Sequence, residues 1–214
     1  MTRMFVLAVA FVVGMVFSTA GALGQCPTDN TPCAWKEARP MADWIYVNSC
    51  RIKVRIKTCY RCCSTSGANL EVRLQSLEVV ENPDGCELTY DAKFWGRVDN
   101  IMSHEGFYNN SYECAGVALS CIQGGIPLCS SGKLFSINFY RANCYRRDFS
   151  GIDTKYLFRL VPCKGTGECK TSWSVCCKDG VTLQSERISI ESVGGCYEYG
   201  STTPETDECY PACW

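Results

Sequence analysis

Histidine is almost missing from this chain: His104 is the only one in 214 residues. A Ser-His-acid triad would have to be built around that one ring, and no Gly-x-Ser-x-Gly elbow is present to present a nucleophile. His104 lies in Ser103-His104-Glu105-Gly106, a loop-like setting in which a solvated imidazole is the simpler expectation. Zinc sites of the finger type need several histidines or paired Cys-x-x-Cys units at finger spacing, and neither occurs. An excess of positive charge is lacking too. Lys and Arg total 21 against 22 Asp and Glu, so no broad cationic field exists to hold nucleic acid. Beyond the N-terminus, no apolar run approaches the roughly 20 residues that span a bilayer. No amphipathic helix of normal length and no low-complexity tract stands out. Nothing in these patterns calls for a cofactor or a metal.

Cysteine, by contrast, is abundant. All 18 lie beyond residue 25: Cys26, Cys33, Cys50, Cys59, Cys62, Cys63, Cys86, Cys114, Cys121, Cys129, Cys144, Cys163, Cys169, Cys176, Cys177, Cys196, Cys209 and Cys213. Before them, Arg3 precedes an unbroken apolar run from Phe5 to Phe17 and a small-residue stretch from Ser18 to Ala22. That order is expected of a secretory signal peptide over residues 1–24, with Gln25 as the new N-terminus. Export to an oxidising compartment lets disulfides persist. The even count allows about nine bridges with no thiol left over, though spacing does not reveal their pairing. Each is expected to stabilise by roughly 2–4 kcal/mol by restricting the unfolded chain.

Strand patterning dominates the remainder. Ile52, Val54, Ile56, Thr58 and Tyr60 alternate with Arg51, Lys53, Arg55, Lys57, Cys59 and Arg61, a period of two that marks a half-buried strand. Shorter alternations run through Leu70–Gln75, Phe135–Tyr140, Tyr156–Val161, Thr171–Val175 and Glu186–Glu191, with Trp44–Val47 as a further candidate. Clean alternation predicts antiparallel sheets with one wet face. The expected fold class is therefore mainly β, built of small disulfide-rich antiparallel sheets. On opposite faces of a strand, the neighbours Cys62-Cys63 and Cys176-Cys177 would each bond a different partner.

A shared plan suggests two related modules, at 25–100 and 132–214. In each, a vicinal cysteine pair is followed by a Gly turn, a strand-like run and a Gly-Cys end (Gly85-Cys86, Gly195-Cys196). Duplication is one reading, and convergence of disulfide-rich strands on a common pattern is the other. Between them, 101–131 holds Asn109-Asn110, Gly124-Gly125 and Pro127 and reads as a loop pinned by its three cysteines. Tyr112–Cys121 is expected to form a short helix there. Asn109-Asn110-Ser111 is a formal glycosylation sequon.

Two surfaces are candidates for binding. Arg51, Lys53, Arg55, Lys57 and Arg61 would project from one strand face as a ladder about 35 Å long. Such a ladder suits an anionic polysaccharide or an envelope polymer. It equally suits a solvated face balanced by acids on neighbouring strands, such as Glu71 and Glu78, with its charges discouraging edge aggregation. Aromatic rings offer the second surface. Trp173 is expected in the core, and Trp35 and Trp214 are expected against disulfides. Trp95, in Phe94-Trp95-Gly96-Arg97, is the best candidate for an exposed ring that stacks on sugars. The Cys59-x-x-Cys62 spacing ends a charged strand rather than opening a helix, which argues for bridging over redox catalysis.

Cys33-Ala34-Trp35, the strand ends Cys59-Tyr60-Arg61 and Cys144-Tyr145-Arg146, and the closing Cys209-Tyr210-Pro211-Ala212-Cys213-Trp214 resemble pieces of exported, cysteine-rich bacterial proteins of no assigned activity. The resemblance covers scattered segments. It implies a bacterial surface or extracellular setting and brings no ligand or catalytic residue. The leading expectation is a secreted binding or structural protein. Its alternatives are a carboxylate-dependent hydrolase whose acids the sequence does not identify, and a protease inhibitor or toxin-like effector, which would require a protruding loop held by a bridge on both sides although no inhibitory loop stands out in the sequence.

Overall fold

The computed structural model describes residues 26–27, 33–62, 68–149, 157–163, 167–194 and 210–213. The expected signal peptide lies outside the described residues, as do Cys63, Cys196, Cys209 and Trp214. The fold is mainly β and disulfide-rich, with sheet pairing that is antiparallel except at one place. Ten strands join in one sheet: β1 (Lys36–Glu37), β2 (Met41–Val47), β3 (Cys50–Arg61), β4 (Leu70–Glu81), β7 (Phe135–Ala142), β8 (Cys144–Asp148), β9 (Phe158–Pro162), β10 (Glu168–Cys177), β11 (Leu183–Val193) and β12 (Tyr210–Pro211). A small hairpin, β5 (Glu113–Cys114) with β6 (Val117–Ala118), stands apart.

β4 is the branch point. One of its edges pairs along β3. The other is shared: Leu70–Arg73 run parallel to β7, and Leu77–Val79 run antiparallel to β9. Strands from both sides of the 101–131 segment thus enter the same sheet. The alternation of β3 is realised from Arg51 to Thr58, beyond which Cys59 is buried as well. Ile52, Val54, Ile56 and Thr58 are wholly buried, and Arg51 and Arg55 point to solvent. The buried apolar side chains form one cluster that extends from Ala38 to Ala212.

The region expected to be an irregular loop is in fact partly helical. Helix α1 (Ala92–Asn100) continues as a π-helical turn, Ile101–Glu105, and a last turn, Gly106–Tyr108. Asp91 starts it by accepting from the backbone N–H groups of Lys93 and Phe94, which satisfies two donors that the first turn leaves open. Phe94, Trp95, Val98, Ile101 and Met102 follow at helical spacing and pack inward. Trp95, expected to be exposed, is 1% exposed. Its ring stacks near Tyr145 at 5.0 Å and under the Arg141 guanidinium at 5.2 Å. The helix turns it into the core, so it cannot serve as a sugar-stacking platform.

The expected helix at Tyr112–Cys121 is replaced by the β5–β6 hairpin. Ala115 and Gly116 both take positive φ, at 53° and 78°, the backbone of a two-residue hairpin turn. At Gly106 the absence of a side chain is required, because a Cβ there would collide with the Tyr112 ring.

Six bridges join described cysteines: Cys26–Cys59, Cys50–Cys86, Cys62–Cys114, Cys121–Cys177, Cys129–Cys176 and Cys169–Cys213. Cys33, Cys144 and Cys163 are also disulfide-bonded, and no described cysteine is free. Cys176 and Cys177 bond different partners, as alternating strand faces predict. The three cysteines of 101–131 do pin that segment. Among the described residues no helix is long and apolar enough to cross a membrane, and no group of His, Cys, Asp or Glu is placed to hold a metal ion.

Candidate functional site

The outer face of β3 carries the predicted cationic ladder, and its neighbours divide it into parts with different roles. At one end Arg51 lies over the half-buried ring of Trp44, 4.1 Å from its centroid, and the Lys53 ammonium lies 5.6 Å from the same ring. The antiparallel register causes this, because Trp44 on β2 sits directly opposite Lys53. In the middle, Lys53 pairs with Glu81 at 2.6 Å and Arg55 with Glu78 at 3.5 Å, while Arg159 shares Glu78 at 3.0 Å. Lys57 faces Ser76 across the strand pair and makes no ion pair among the described residues.

At the far end, Arg61 is structural. It hydrogen-bonds Glu71, whose side chain is 1% exposed, and stacks on Trp35 at 4.7 Å. The Tyr140 hydroxyl also donates to Glu71. The acids expected to balance the ladder, Glu71 and Glu78, do so, and Glu81 joins them. Trp35 packs against the guanidinium groups of Arg61 and Arg73. Trp173 is half-buried against the core, edge-on to Phe139.

Beside the Trp44 end lies an open cleft of about 580 Å³ between the tip of β2 and helix α1. Tyr46 and Asn48 form one wall. Ala92, Gly96 and Asn100, each four residues apart on α1, form the floor, and Lys93 and Arg97 flank them. The hairpin turn fixes the first wall. Asn48 and Ser49 take φ of 50° and 68°, a turn in which asparagine is favoured because it tolerates the left-handed region. The walls are tied together twice. The Asn48 side-chain amide donates to the Thr89 hydroxyl, which donates to the Asp91 carboxylate at the head of α1. Cys50, next after the turn, is bridged to Cys86, shortly before the helix. The two backbone donors and the Thr89 hydroxyl hold the Asp91 carboxyl below the usual aspartate value.

No protein-family model, curated protein or solved structure matches this chain.

A second, smaller cavity of about 90 Å³ sits between Phe107, Tyr108, Ile122, Val181 and Leu183. It adjoins the loop from Cys121 to Cys129, whose two ends are bridged to Cys177 and Cys176. Ser120 and Gly124 exchange backbone hydrogen bonds and close a tight turn, leaving Ile122 73% exposed. Neither cavity is lined by a carboxylate.

His104, expected in a solvated loop, is half-buried in the π-helical turn. Its Nδ1 lies 3.0 Å from Ser103 Oγ and its Nε2 3.4 Å from Ser185 Oγ. No carboxylate hydrogen-bonds this ring among the described residues, so the third member of a triad is not assembled here.

Sequence reading found the ladder but missed Tyr46, Lys93 and Arg97. The spacing of Lys93 and Arg97, four apart after an Asp cap, was the available signal. The interrupting Gly96 concealed it.

Proposed function

We propose that this chain is an exported, non-catalytic binding module of the extracellular space, cell surface or periplasm, and that it holds an anionic polysaccharide or envelope polymer on the outer face of β3. The observation that carries this reading is the stack of Arg51 and Lys53 on Trp44, with the exposed Tyr46 alongside. The exposed Tyr46 ring beside cations held on Trp44 offers both parts of an acidic sugar a partner: its carbon–hydrogen face and its anionic group. Lys57 extends the cationic line beyond the neutralised middle. The absence of free thiols among the described residues supports an oxidising compartment, and the apolar run at Phe5–Phe17 supports export. The resemblance to exported bacterial proteins supports a bacterial surface setting.

The test is to change Arg51, Lys53, Arg55 and Lys57 together to Gln and to measure elution from an immobilised anionic polysaccharide. The variant should elute at lower salt. Elution at the same salt as the parent removes the β3 face from consideration.

One observation favours a second reading, a protease inhibitor or toxin-like effector. The loop from Cys121 to Cys129 is clamped at both ends and exposes Ile122. Rigid presentation of an apolar residue on a doubly bridged loop lowers the ordering cost of docking into a partner's pocket. Ile122→Asp should abolish any inhibition of apolar-specific proteases without moving the unfolding midpoint. A carboxylate-dependent hydrolase gains no support, because no acid lines either cavity.

A further inference from the structure

The cleft between β2 and α1 collects groups that the rest of the fold does not use. Among the described residues the Lys93 ammonium and the Arg97 guanidinium make no hydrogen bond or ion pair, and neither does the Tyr46 hydroxyl. Tyr46 is 60% exposed although its ring is large. Asp91, at the head of the same helix, is engaged by the helix cap and by Thr89, and feels the Lys93 charge without pairing with it. The cleft is therefore cationic at its flank, aromatic at its wall and amide-lined at its ends, where Asn48 and Asn100 stand.

The floor is open for a specific reason. Gly96 would carry a side chain without strain, since a Cβ there meets nothing within 4 Å. Glycine in an exposed helix interior costs roughly 0.5–1 kcal/mol relative to alanine. Here it leaves open space beside Lys93 and Arg97, which lie one helical turn apart and line the same cleft. The walls are held by a disulfide and by the Asn48–Thr89–Asp91 chain, so the site is formed before any ligand arrives. A volume of about 580 Å³ falls within the usual range of small-molecule sites, about 300–1,000 Å³.

We propose that this cleft seats a hexuronate residue, with the sugar ring on the face of Tyr46, its carboxylate against Arg97 and Lys93, and its hydroxyls toward Asn48 and Asn100. The guanidinium fork matches a planar carboxylate, and an aromatic wall suits the carbon–hydrogen face of a pyranose. The site deepens the binding reading given above and rests on it for the ligand class. It adds a seat for one sugar at the Trp44 end of the ladder, because Tyr46 lies across from Arg51 in the β2–β3 register.

The experiment is titration calorimetry of the full disulfide-intact chain with trigalacturonate and, as the neutral comparison, maltotriose. Polygalacturonate retention is measured in parallel. Trigalacturonate should bind and maltotriose should not. Gly96→Leu, which fills the floor without changing charge, and the double variant Lys93→Gln/Arg97→Gln should each weaken trigalacturonate binding by about tenfold or more. Both changes lie on an exposed helix face, and Gly96→Ala is the milder filler should leucine disturb the fold. Lys53→Gln/Lys57→Gln should lower polymer retention.

Unaltered trigalacturonate binding in Gly96→Leu and in the double cation variant overturns the cleft. So does a parent that retains polygalacturonate but does not bind the trisaccharide, and in that case the β3 reading survives. A parent that binds the trisaccharide through the cleft, with polymer retention insensitive to the ladder variants, sustains the cleft and removes the ladder.

Discussion

The Arg141 guanidinium hydrogen-bonds the Asp99 carboxylate, and both side chains are only 2% exposed. Arg141 stands on β7 and Asp99 on α1, so the pair fastens the helix to the sheet. The same guanidinium donates through Nε to the Ala212 carbonyl at 2.7 Å and lies over the Trp95 ring. One side chain therefore joins three separate stretches of sequence. Burial pushes the Asp99 carboxyl upward, and the charge of Arg141 opposes that shift.

Removing one partner should cost far more than removing both. Asp99→Ala or Arg141→Met should each destabilise by about 3–5 kcal/mol, because each leaves a charge buried without its counter-ion. Asp99→Leu combined with Arg141→Met should lose less than either single change. Guanidinium-chloride unfolding with bridges intact measures all of these.

Two cations of the β3 ladder should behave differently despite lying on one face. Arg61→Gln removes the charge facing the buried Glu71 carboxylate and should destabilise by about 3 kcal/mol or more. Lys57→Gln should stay within about 0.5 kcal/mol of the parent while lowering retention on an anionic polymer. Equal stability losses in the two variants would contradict this division of roles.

The glycines of the helical segment should give changes of opposite sign. Gly96→Ala fills open space in an exposed helix and should stabilise by about 0.5–1 kcal/mol. Gly106→Ala drives a methyl group into the Tyr112 ring and should destabilise by about 1–3 kcal/mol. Thermal unfolding of both variants at one pH decides the matter.

The Asp91 cap should show in the acid limb of stability. Its folded carboxyl titrates below the ordinary aspartate range, chiefly through the Phe94 backbone donor. A carboxyl depressed by folding contributes stability that is present above its unfolded value and is lost as pH falls through its folded one. Asp91→Ala should therefore cost about 1 kcal/mol at neutral pH. Much of that difference should vanish as the pH drops below the ordinary aspartate range.

The strands were legible because their period of two is local: β3 alternates through Arg51–Arg61 with no partner needed to interpret it. The divergent bonding of Cys176 and Cys177 was legible for the same reason. The helix was not. Phe94, Trp95, Val98, Ile101 and Met102 carry its spacing, but Gly96 and Gly106 interrupt it, and Asn109-Asn110 close it with a turn signal. Trp95 between Phe94 and Gly96-Arg97 looked like a surface ring. Helical rotation sends it inward and sends Arg97 to the cleft. For the cleft, the missing information was pairing, since Tyr46 and Lys93 meet only when the β2–β3 hairpin tip docks beside α1.

From the sequence alone came the β class, the two-faced character of β3, the cationic ladder with Glu71 and Glu78 as its counter-charges, and the dependence on sulfur crosslinks. These follow from alternation and composition, which need no long-range information. The tertiary structure alone decided which cysteines meet, that β4 borders both β7 and β9, that Trp95 is core, and that Tyr46, Lys93 and Arg97 share a cleft. Each of these depends on contacts between residues distant in sequence, and such contacts arise from the packing of whole elements rather than from the preference of any one segment.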